Sequence, residues 1–271
     1  MQKYVVLNKK IGQTPLETIQ AWKMSNPTYI DTPATYAGRL DPMASGLLLV
    51  LFGDECKKKD AYLGLDKEYE VEIVLDLSSD TGDVLGLISE TDTYTTPSSV
   101  EVQASCAKEI GAHTLPYPSY SSKTVDGVPL FLHALRDTLN TIDIPTHTET
   151  IHSIKLKSVS TISSVDLHKR IKEILTAAPH SDEPSKELGA DFRIHAVRNS
   201  WGTVFVKPER SFTVIHLRVV CGSGAYMRTL AERIGTSLGT HALALSIHRT
   251  SVGIYKKIGP LAFWTKNFKL P

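Results

Sequence analysis

An α+β fold is predicted by the sequence, because strand patterns and helix patterns both recur along its 271 residues. Residues 69–75 alternate between two faces, as in a half-buried strand. Residues 16–24 have a helical pattern that follows Thr14, a residue type suited to a helix cap. Residues 214–221 predict another strand, and residues 226–238 predict a helix directly after it.

The remaining elements are predicted from shorter patterns. Residues 84–88 are interpreted as the hairpin partner of residues 69–75. The apolar run 47–52 fits either a buried strand or the start of a helix, and periodicity does not choose between them. Further strands are predicted at residues 4–7, 154–159 and 243–255, and further helices at residues 100–110, 130–139 and 167–177.

The composition is that of an ordinary globular protein. Hydrophobic residues make up 41% of the chain, and folding at this length buries roughly 70–75% of the unfolded surface without help from a disulfide or metal. The three cysteines are odd in number and widely spaced, which favours reduced thiols and a cytoplasmic protein. The ten histidines lack metal-ligand spacing, so no metal is expected. The longest apolar run, residues 47–52, is too short for a signal peptide or membrane span.

Net charge is only +1, so binding to a polyanion requires local clusters of positive charge. Lysines cluster at residues 57–59, 9–10 and 256–257. A run of lysines is usually a solvated face. The position of Lys57 and its neighbours, shortly after the motif described next, favours contacts with phosphates instead.

Residues 38–46 read Gly-Arg-Leu-Asp-Pro-Met-Ala-Ser-Gly and contain the best nucleophile candidate of the chain, Asp41. Pro42 restricts its own φ and pushes Asp41 toward an extended backbone, while Gly38 and Gly46 permit close approach of other chain segments. Aspartate before proline is also common turn chemistry, so capping a turn or helix is the alternative role for Asp41.

Three ordered blocks of the sequence resemble one family of RNA-modifying enzymes. Residues 37–57 resemble the active-site motif of the TruB family of tRNA pseudouridine synthases. Asp66-Lys67-Glu68-Tyr69 is similar to the family's Lys-x-Tyr strand, and residues 80–86 follow it as a similar Thr- and Asp-containing block. Residues 221–230 are similar to Cys-x-x-Gly-Thr-Tyr-Ile-Arg-Thr-Leu of that family. The resemblance implies a pseudouridine synthase fold, with a central, mixed but mostly antiparallel sheet flanked by helices.

The resemblance also implies roles for individual residues. Asp41 would act as nucleophile toward base or sugar, or would remove a ribose proton. Arg228 would pair with Asp41 and keep it ionised, with Arg39 and Arg233 as rival partners. Tyr69 would stack on the target base. The remaining substrate-binding candidates are Tyr36, which replaces a family histidine, Gly38, Arg39, Lys57 and Ile247, which would wall the pocket.

The expected activity is conversion of uridine to pseudouridine in the T arm of tRNA, at position 55, without a small-molecule cofactor. The chain is expected to be a monomer with a single catalytic domain over residues 1–271 and with no C-terminal PUA domain. Residues 166–200 are expected to be an insertion, because family catalytic domains have a much shorter connection there. Lys9 is a weak candidate for an RNA contact, since the motif around it departs from the family's Asp-Lys-Pro-x-Gly.

Three alternatives compete with this interpretation. A pseudouridine synthase of the RsuA/RluA kind acting on ribosomal RNA also fits Gly-Arg-Leu-Asp, although Pro42 and the Tyr-x-Arg-Thr-Leu block argue against it. A chaperone that binds tRNA without modifying it would not need Asp41, Tyr69 and Arg228 together. Gly222-Ser223-Gly224 imitates a dinucleotide-binding fingerprint, but Met227 occupies the third glycine position.

Overall fold

The structure is a computed structural model that describes residues 2–91, 94–178, 193–205, 209–259 and 261–270. Its strands are β1 (Tyr4–Lys9), β2 (Ala34–Ala37), β3 (Ser45–Phe52), β4 (Asp66–Leu75), β5 (Leu77–Ser79), β6 (Ile88–Glu90), β7 (Gly111–Pro116), β8 (Thr124–Val125), β9 (Val128–Pro129), β10 (Thr146–Ser163), β11 (Ser211–Cys221), β12 (Ala242–Ile258) and β13 (Leu261–Phe268). Its α-helices are α1 (Pro15–Met24), α2 (Lys59–Leu63), α3 (Ser99–Lys108), α4 (Leu130–Leu135), α5 (Ser164–Ala177), α6 (Ile194–Phe205) and α7 (Met227–Ser237). Short 3₁₀ helices cover Pro27–Tyr29, Gly53–Lys58 and Leu139–Thr141.

A nine-stranded sheet forms the centre of the molecule, with strand order β1-β3-β12-β4-β11-β10-β7. Strand β2 pairs with β3, and β13 pairs with β12. Neighbouring strands are antiparallel except β3 and β12, which are parallel. The predicted α+β fold with a mixed, mostly antiparallel sheet is therefore confirmed.

Strand β3 resolves the ambiguous apolar run, because it lies inside the sheet and is covered on both faces. Leu47, Leu49 and Leu51 pack into one hydrophobic cluster. Leu48, Val50 and Phe52 pack into another on the opposite face. A strand covered on both sides loses the alternation of polar and apolar residues, so its sequence reads as a continuous apolar run.

The predicted hairpin between residues 69–75 and 84–88 is wrong. Strand β4 lies between β12 and β11, whereas β6 pairs with β5 in a separate two-stranded sheet. Asp76 adopts φ of 65°, a left-handed conformation that ends β4 and turns the chain away from the central sheet. The next segment therefore forms its own local hairpin.

The helices begin where the sequence supplies caps, and their apolar faces pack on the sheet. The side chain of Thr14 accepts a hydrogen bond from the Glu17 amide, and Glu17 accepts one from the Thr14 amide, which confirms the predicted start of α1. Helix α7 buries Leu230 and Ile234 in the main core. This packing fixes the first turn of α7, and with it Arg228, above the sheet. Of the helices described, none is long and apolar enough to cross a membrane.

The described parts of the expected insertion pack into the same main core as the sheet. Helix α5 contributes Leu167 and Ile171, and helix α6 contributes Val197 and Trp201. The Trp201 indole donates a hydrogen bond to the carbonyl oxygen of Val84 at 3.0 Å. Residues 179–192 of the expected insertion lie outside the described residues.

Candidate active site

Residues 38–46 comprise the loop between β2 and β3 and the first two residues of β3. They present Asp41 and are called the Asp41 loop below. Its two glycines take left-handed conformations, with φ of 87° at Gly38 and 99° at Gly46. A Cβ atom on Gly46 would collide with the carbonyl oxygen of Arg249 and lie 2.8 Å from the Arg249 nitrogen. Glycine is therefore required where β3 enters the sheet beside β12.

Two buried cations hold the main chain of the Asp41 loop. The Lys9 ammonium donates to the carbonyl oxygens of Ala44 at 2.6 Å and Pro42 at 3.4 Å. The Arg249 guanidinium donates to the carbonyl oxygens of Leu47 at 2.7 Å and Gly38 at 3.0 Å. Lys9 and Arg249 are both 0% exposed. Because the carbonyls lie on both sides of Asp41, these contacts fix the loop from two directions.

Burial also changes the ionisation of Lys9. Desolvation lowers the pKa of Lys9 to about 8, and the neighbouring Asp41 carboxylate opposes this change. The burial of Lys9 excludes it as a surface RNA contact in this structure. Sequence reasoning missed its role, although Lys9 lies in phase with the buried Leu7 on β1.

Arg228, at the start of α7, contacts the Asp41 carboxylate directly. Its Nε atom donates to Asp41 Oδ2 at 2.9 Å. The two other nitrogens of the guanidinium donate to main-chain oxygens, those of Thr81 at 2.6 Å and Tyr120 at 3.1 Å. The Arg228 side chain is 4% exposed and that of Asp41 is 36% exposed. The carboxylate thus faces an opening while its cation is buried.

A second carboxylate, that of Asp83, lies behind Arg228. Its Oδ2 atom is 3.7 Å from Arg228 Nε, and its Oδ1 atom accepts hydrogen bonds from the Leu85 amide and the Thr81 hydroxyl. Burial raises the pKa of Asp83, and Arg228 opposes that rise. Burial acts to lower the pKa of Arg228, but Asp41 and Asp83 outweigh it and raise that pKa. Arg228 therefore remains a cation.

The Asp41 carboxylate opens into a cavity of about 350 Å³. Tyr69 and Ile247 line it with largely buried side chains that are 8% and 5% exposed. Burial raises the pKa of Tyr69, so its hydroxyl stays protonated at neutral pH. The cavity therefore combines an anionic oxygen, an aromatic face and an aliphatic wall.

A known protein family matches more than half of the chain. The model of the TruB family pseudouridylate synthase N-terminal domain matches residues 31–173. The chain belongs to the TruB family. This confirms the resemblance found in the three sequence blocks.

Two relatives from the family are longer than this chain. It is 30% identical over 220 residues to tRNA pseudouridine synthase B of Cupriavidus metallidurans, covering 81% of this chain and 54% of that protein. It is 28% identical over 249 residues to the protein of the same name from Burkholderia mallei, covering 92% of this chain and 64% of that protein. The chain thus spans between about half and two thirds of the length of these two relatives.

One solved structure supports the fold. The chain matches a protein in a crystal structure of a Cbf5-Nop10-Gar1 complex with a TM-score of 0.53 and 17% sequence identity, covering 92% of this chain and 48% of the other. Identity at this level carries information about fold and not about activity.

Six of the residues expected from the family motifs meet in this cavity, and two lie elsewhere. The cavity is lined by Gly38, Arg39, Asp41, Tyr69, Arg228 and Ile247. Tyr36 packs instead against the cluster beneath β1 and β3. Lys57 is exposed and pairs with Asp54 at 2.7 Å. Arg233, a rival partner for Asp41, pairs with Glu109 and Glu149.

The cavity also has lining residues that sequence reasoning did not assign to the site. Lys67 lines the cavity and donates to the carbonyl oxygens of Leu63, at 2.7 Å, and Leu65. Burial lowers the pKa of Lys67 to about 8. Tyr120, Arg193 and Tyr226 also line the cavity. Lys67 and Tyr226 lie inside the quoted family blocks, whereas Arg193 carries no local signal.

Proposed function

We propose that this TruB-family protein converts uridine to pseudouridine in tRNA, at position 55 in the T arm, with Asp41 as the nucleophile. One observation carries the proposal: the Asp41 carboxylate is held by Arg228 at 2.9 Å and faces a cavity lined by Tyr69 and Ile247. The names of the relatives from Cupriavidus metallidurans and Burkholderia mallei support tRNA as the substrate.

The reaction is an isomerisation that needs only side chains. The bond from ribose to N1 breaks, the uracil turns, and a new bond joins ribose to C5. The proton lost from C5 is balanced by one gained at N1, so atoms are conserved. An ionised carboxylate positioned by a cation is able to form the covalent intermediate that keeps the uracil in place between these steps.

The cavity suits one extruded nucleobase. The ring of Tyr69 offers a π-face, and Ile247 offers the apolar surface that completes the pocket. Stacking contributes roughly 1–3 kcal/mol per base, which is comparable with the few kcal/mol needed to flip a nucleotide. Stacking on Tyr69 therefore does not secure flipping by itself, and contacts to the tRNA backbone are required as well.

Backbone contacts are assigned to one cation that lines the cavity and one that lies outside it. Arg39 lines the cavity beside Asp41, and Lys57 has a side chain that is 81% exposed. Binding by such residues depends on salt, because counterions are released from the phosphates. A monomer in the cytoplasm, where tRNA is available, completes the proposal, and the three cysteines are free thiols as expected there.

The test uses an unmodified tRNA transcript and maps pseudouridine after incubation with the purified chain. Wild-type protein is expected to modify the T loop, and Asp41→Asn to abolish modification while tRNA binding stays within about tenfold. Asp143→Asn is the matched control, because Asp143 is an exposed carboxylate that does not line the cavity. Full activity in Asp41→Asn overturns the mechanism, and tRNA binding by the wild type without modification supports the chaperone alternative.

A further inference from the structure

Arg193 comes from the expected insertion and reaches the rim of the cavity. We propose that Arg193 is a positioning residue for Arg228, and through it for Asp41. The inference rests on the proposed function for its kinetic consequence. Its structural consequence, the ordering of Arg228, does not depend on that function.

The first step is the contact between Arg193 and Asp80. The two terminal nitrogens of Arg193 donate to the two carboxylate oxygens of Asp80, at 2.6 Å and 3.2 Å. Such a bidentate pair fixes orientation as well as distance. The Leu87 amide also donates to Asp80, at 2.8 Å, so the carboxylate is held from the chain on one side and from Arg193 on the other.

The second step joins Asp80 to Tyr120. The Tyr120 hydroxyl donates to Asp80 Oδ2 at 3.0 Å. The Arg193 guanidinium lies 4.7 Å from the centre of the Tyr120 ring, within the range of a cation–π contact. Burial and the Asp80 charge raise the pKa of Tyr120 to about 12, so the donor remains protonated. Arg193 thus contacts both members of the Asp80–Tyr120 pair.

The third step is that this pair connects the two segments that hold Arg228. Thr81, which follows Asp80 directly, accepts from one Arg228 nitrogen through its main-chain oxygen, and Tyr120 accepts from another. The Asp80–Tyr120 hydrogen bond therefore sets the separation of the two carbonyl acceptors. A change in that separation moves the guanidinium that orients Asp41.

The fourth step is the rigid support of Arg193. Helix α6, which follows it, is anchored to the same segment as Asp80: Trp201 donates to the Val84 oxygen at 3.0 Å, and the Ser200 hydroxyl accepts from the Ile88 amide at 3.2 Å. Arg193 itself has φ of 53°, a conformation that residues other than glycine rarely adopt. Arg193 is therefore held at the end of a fixed helix, and its side chain is only 22% exposed.

A direct test measures the order of Arg228 without using activity. In the full chain labelled with ¹⁵N-arginine, the Nε proton of Arg228, assigned by its absence in Arg228→Lys, reports on its contact with Asp41. Arg193→Ala is expected to speed the exchange of this proton with solvent by at least about tenfold, because the contact opens more often. Arg198→Ala is the control, since Arg198 lies on the same helix and donates to the Leu175 oxygen.

A kinetic arm separates positioning from RNA contact. Arg193→Ala and Asp80→Asn are each expected to lower kcat by about ten- to a hundredfold through misplacement of Arg228 and Asp41, with KM unchanged and with no further loss in the double variant. Arg193→Lys is expected to restore only part of the rate, because it keeps the charge but not the bidentate geometry.

The outcomes are distinguishable. Unchanged exchange of the Arg228 proton in Arg193→Ala, or equal acceleration in Arg198→Ala, overturns the positioning role. A raised KM with unchanged kcat assigns Arg193 to RNA binding and also overturns it. If wild-type protein forms no pseudouridine, the proposed function fails, while the proton-exchange arm still decides the role of Arg193.

Discussion

The two sides of the Asp41–Arg228 pair are held in different ways. On the Asp41 side, Lys9 and Arg249 donate hydrogen bonds to main-chain oxygens of the loop and its continuation into β3. Both cations are 0% exposed. On the Arg228 side, the cation itself donates to the main-chain oxygens of Thr81 and Tyr120, near a rim where Asp80 is 32% exposed. Contacts that are buried exclude water and hold the loop in place, whereas contacts at the rim are open to water. The comparison indicates that buried contacts hold the main chain around Asp41, whereas the segments that supply the acceptors of Arg228 are joined at the rim.

Removal of the Arg228 guanidinium is expected to have the largest effect on both stability and rate. Arg228→Met leaves Asp83 buried without its partner, which destabilises the fold by about 3–5 kcal/mol and lowers the rate at least about a hundredfold through misplacement of Asp41. Urea unfolding and single-turnover modification of a tRNA transcript measure the two effects.

The matched variant is Arg233→Met, on the same helix. Arg233 also holds largely buried carboxylates, those of Glu109 and Glu149, but has no contact with Asp41 among the described ion pairs. We expect a loss of stability with the rate largely kept in the folded fraction. Equal losses of rate in Arg228→Met and Arg233→Met would show that the contact of Arg228 with Asp41 has no special effect on the rate.

The next largest effect is expected from a substitution of Gly46, where β3 enters the sheet. Gly46→Ala combines a left-handed φ with a collision against the Arg249 backbone, and is expected to reduce the free energy of unfolding by more than about 3 kcal/mol. Gly53→Ala is the control, because Gly53 also has positive φ but no atom lies within 4 Å of its added Cβ. Thermal or urea unfolding measures the stability of both variants. If Gly46→Ala and Gly53→Ala lose equal stability, the collision with Arg249 does not contribute.

The buried Lys9 gives a smaller, pH-dependent effect. Its pKa is about 8 in the folded chain, below its ordinary value of 10.5, so between these values the unfolded state binds more protons and stability rises with pH. The groups that face Lys9 are Asp41, Arg249 and Glu17. From pH 8 to 9.5 this contribution to the free energy of unfolding is expected to grow by about 1–2 kcal/mol.

Urea titrations at several pH values measure this contribution as the difference between wild type and Lys9→Met. Lys67, whose pKa is also lowered to about 8, contributes equally to both proteins and cancels. Lys10→Met, which removes an exposed neighbour, should follow the wild-type curve. A Lys9→Met curve parallel to wild type would mean that the ammonium is not desolvated as the structure indicates.

The smallest expected effect concerns the three lysines after the loop, of which Lys57 and Lys58 are exposed and Lys59 is half-buried. Neutralising residues 57–59 should reduce the slope of log binding constant against log salt by about one for each phosphate that the protein no longer neutralises. Lys157→Ala, an exposed lysine on β10, serves as the comparison. A slope identical to wild type would remove residues 57–59 from the RNA interface.

The Asp41 side was largely predictable from sequence, because its information is local. Glycine, proline and aspartate within residues 38–46 predict a stiff loop, and the Thr14 cap predicts the start of α1. The burial of Lys9 was not predictable from its type, since lysine usually faces water. The only local indication of its burial was that Lys9 lies two residues after Leu7, and therefore on the same face of β1.

The Arg228 side was less predictable, because its contacts join distant segments. Asp80 and Arg193 are 113 residues apart in sequence, and the Tyr120 oxygen is 108 residues from Arg228. The wrong pairing of residues 84–88 has a similar origin: β4 finds its neighbours in β11 and β12, far along the chain. Local patterns record which segments are strands but not which distant strands they join.

The central claim, that Asp41 performs the chemistry, is tested most directly by single-turnover modification of an unmodified tRNA transcript with saturating protein. The account predicts pseudouridine in the T loop with wild type and a rate at least about a thousandfold lower with Asp41→Asn, at comparable tRNA binding. A rate for Asp41→Asn within about tenfold of wild type would contradict it.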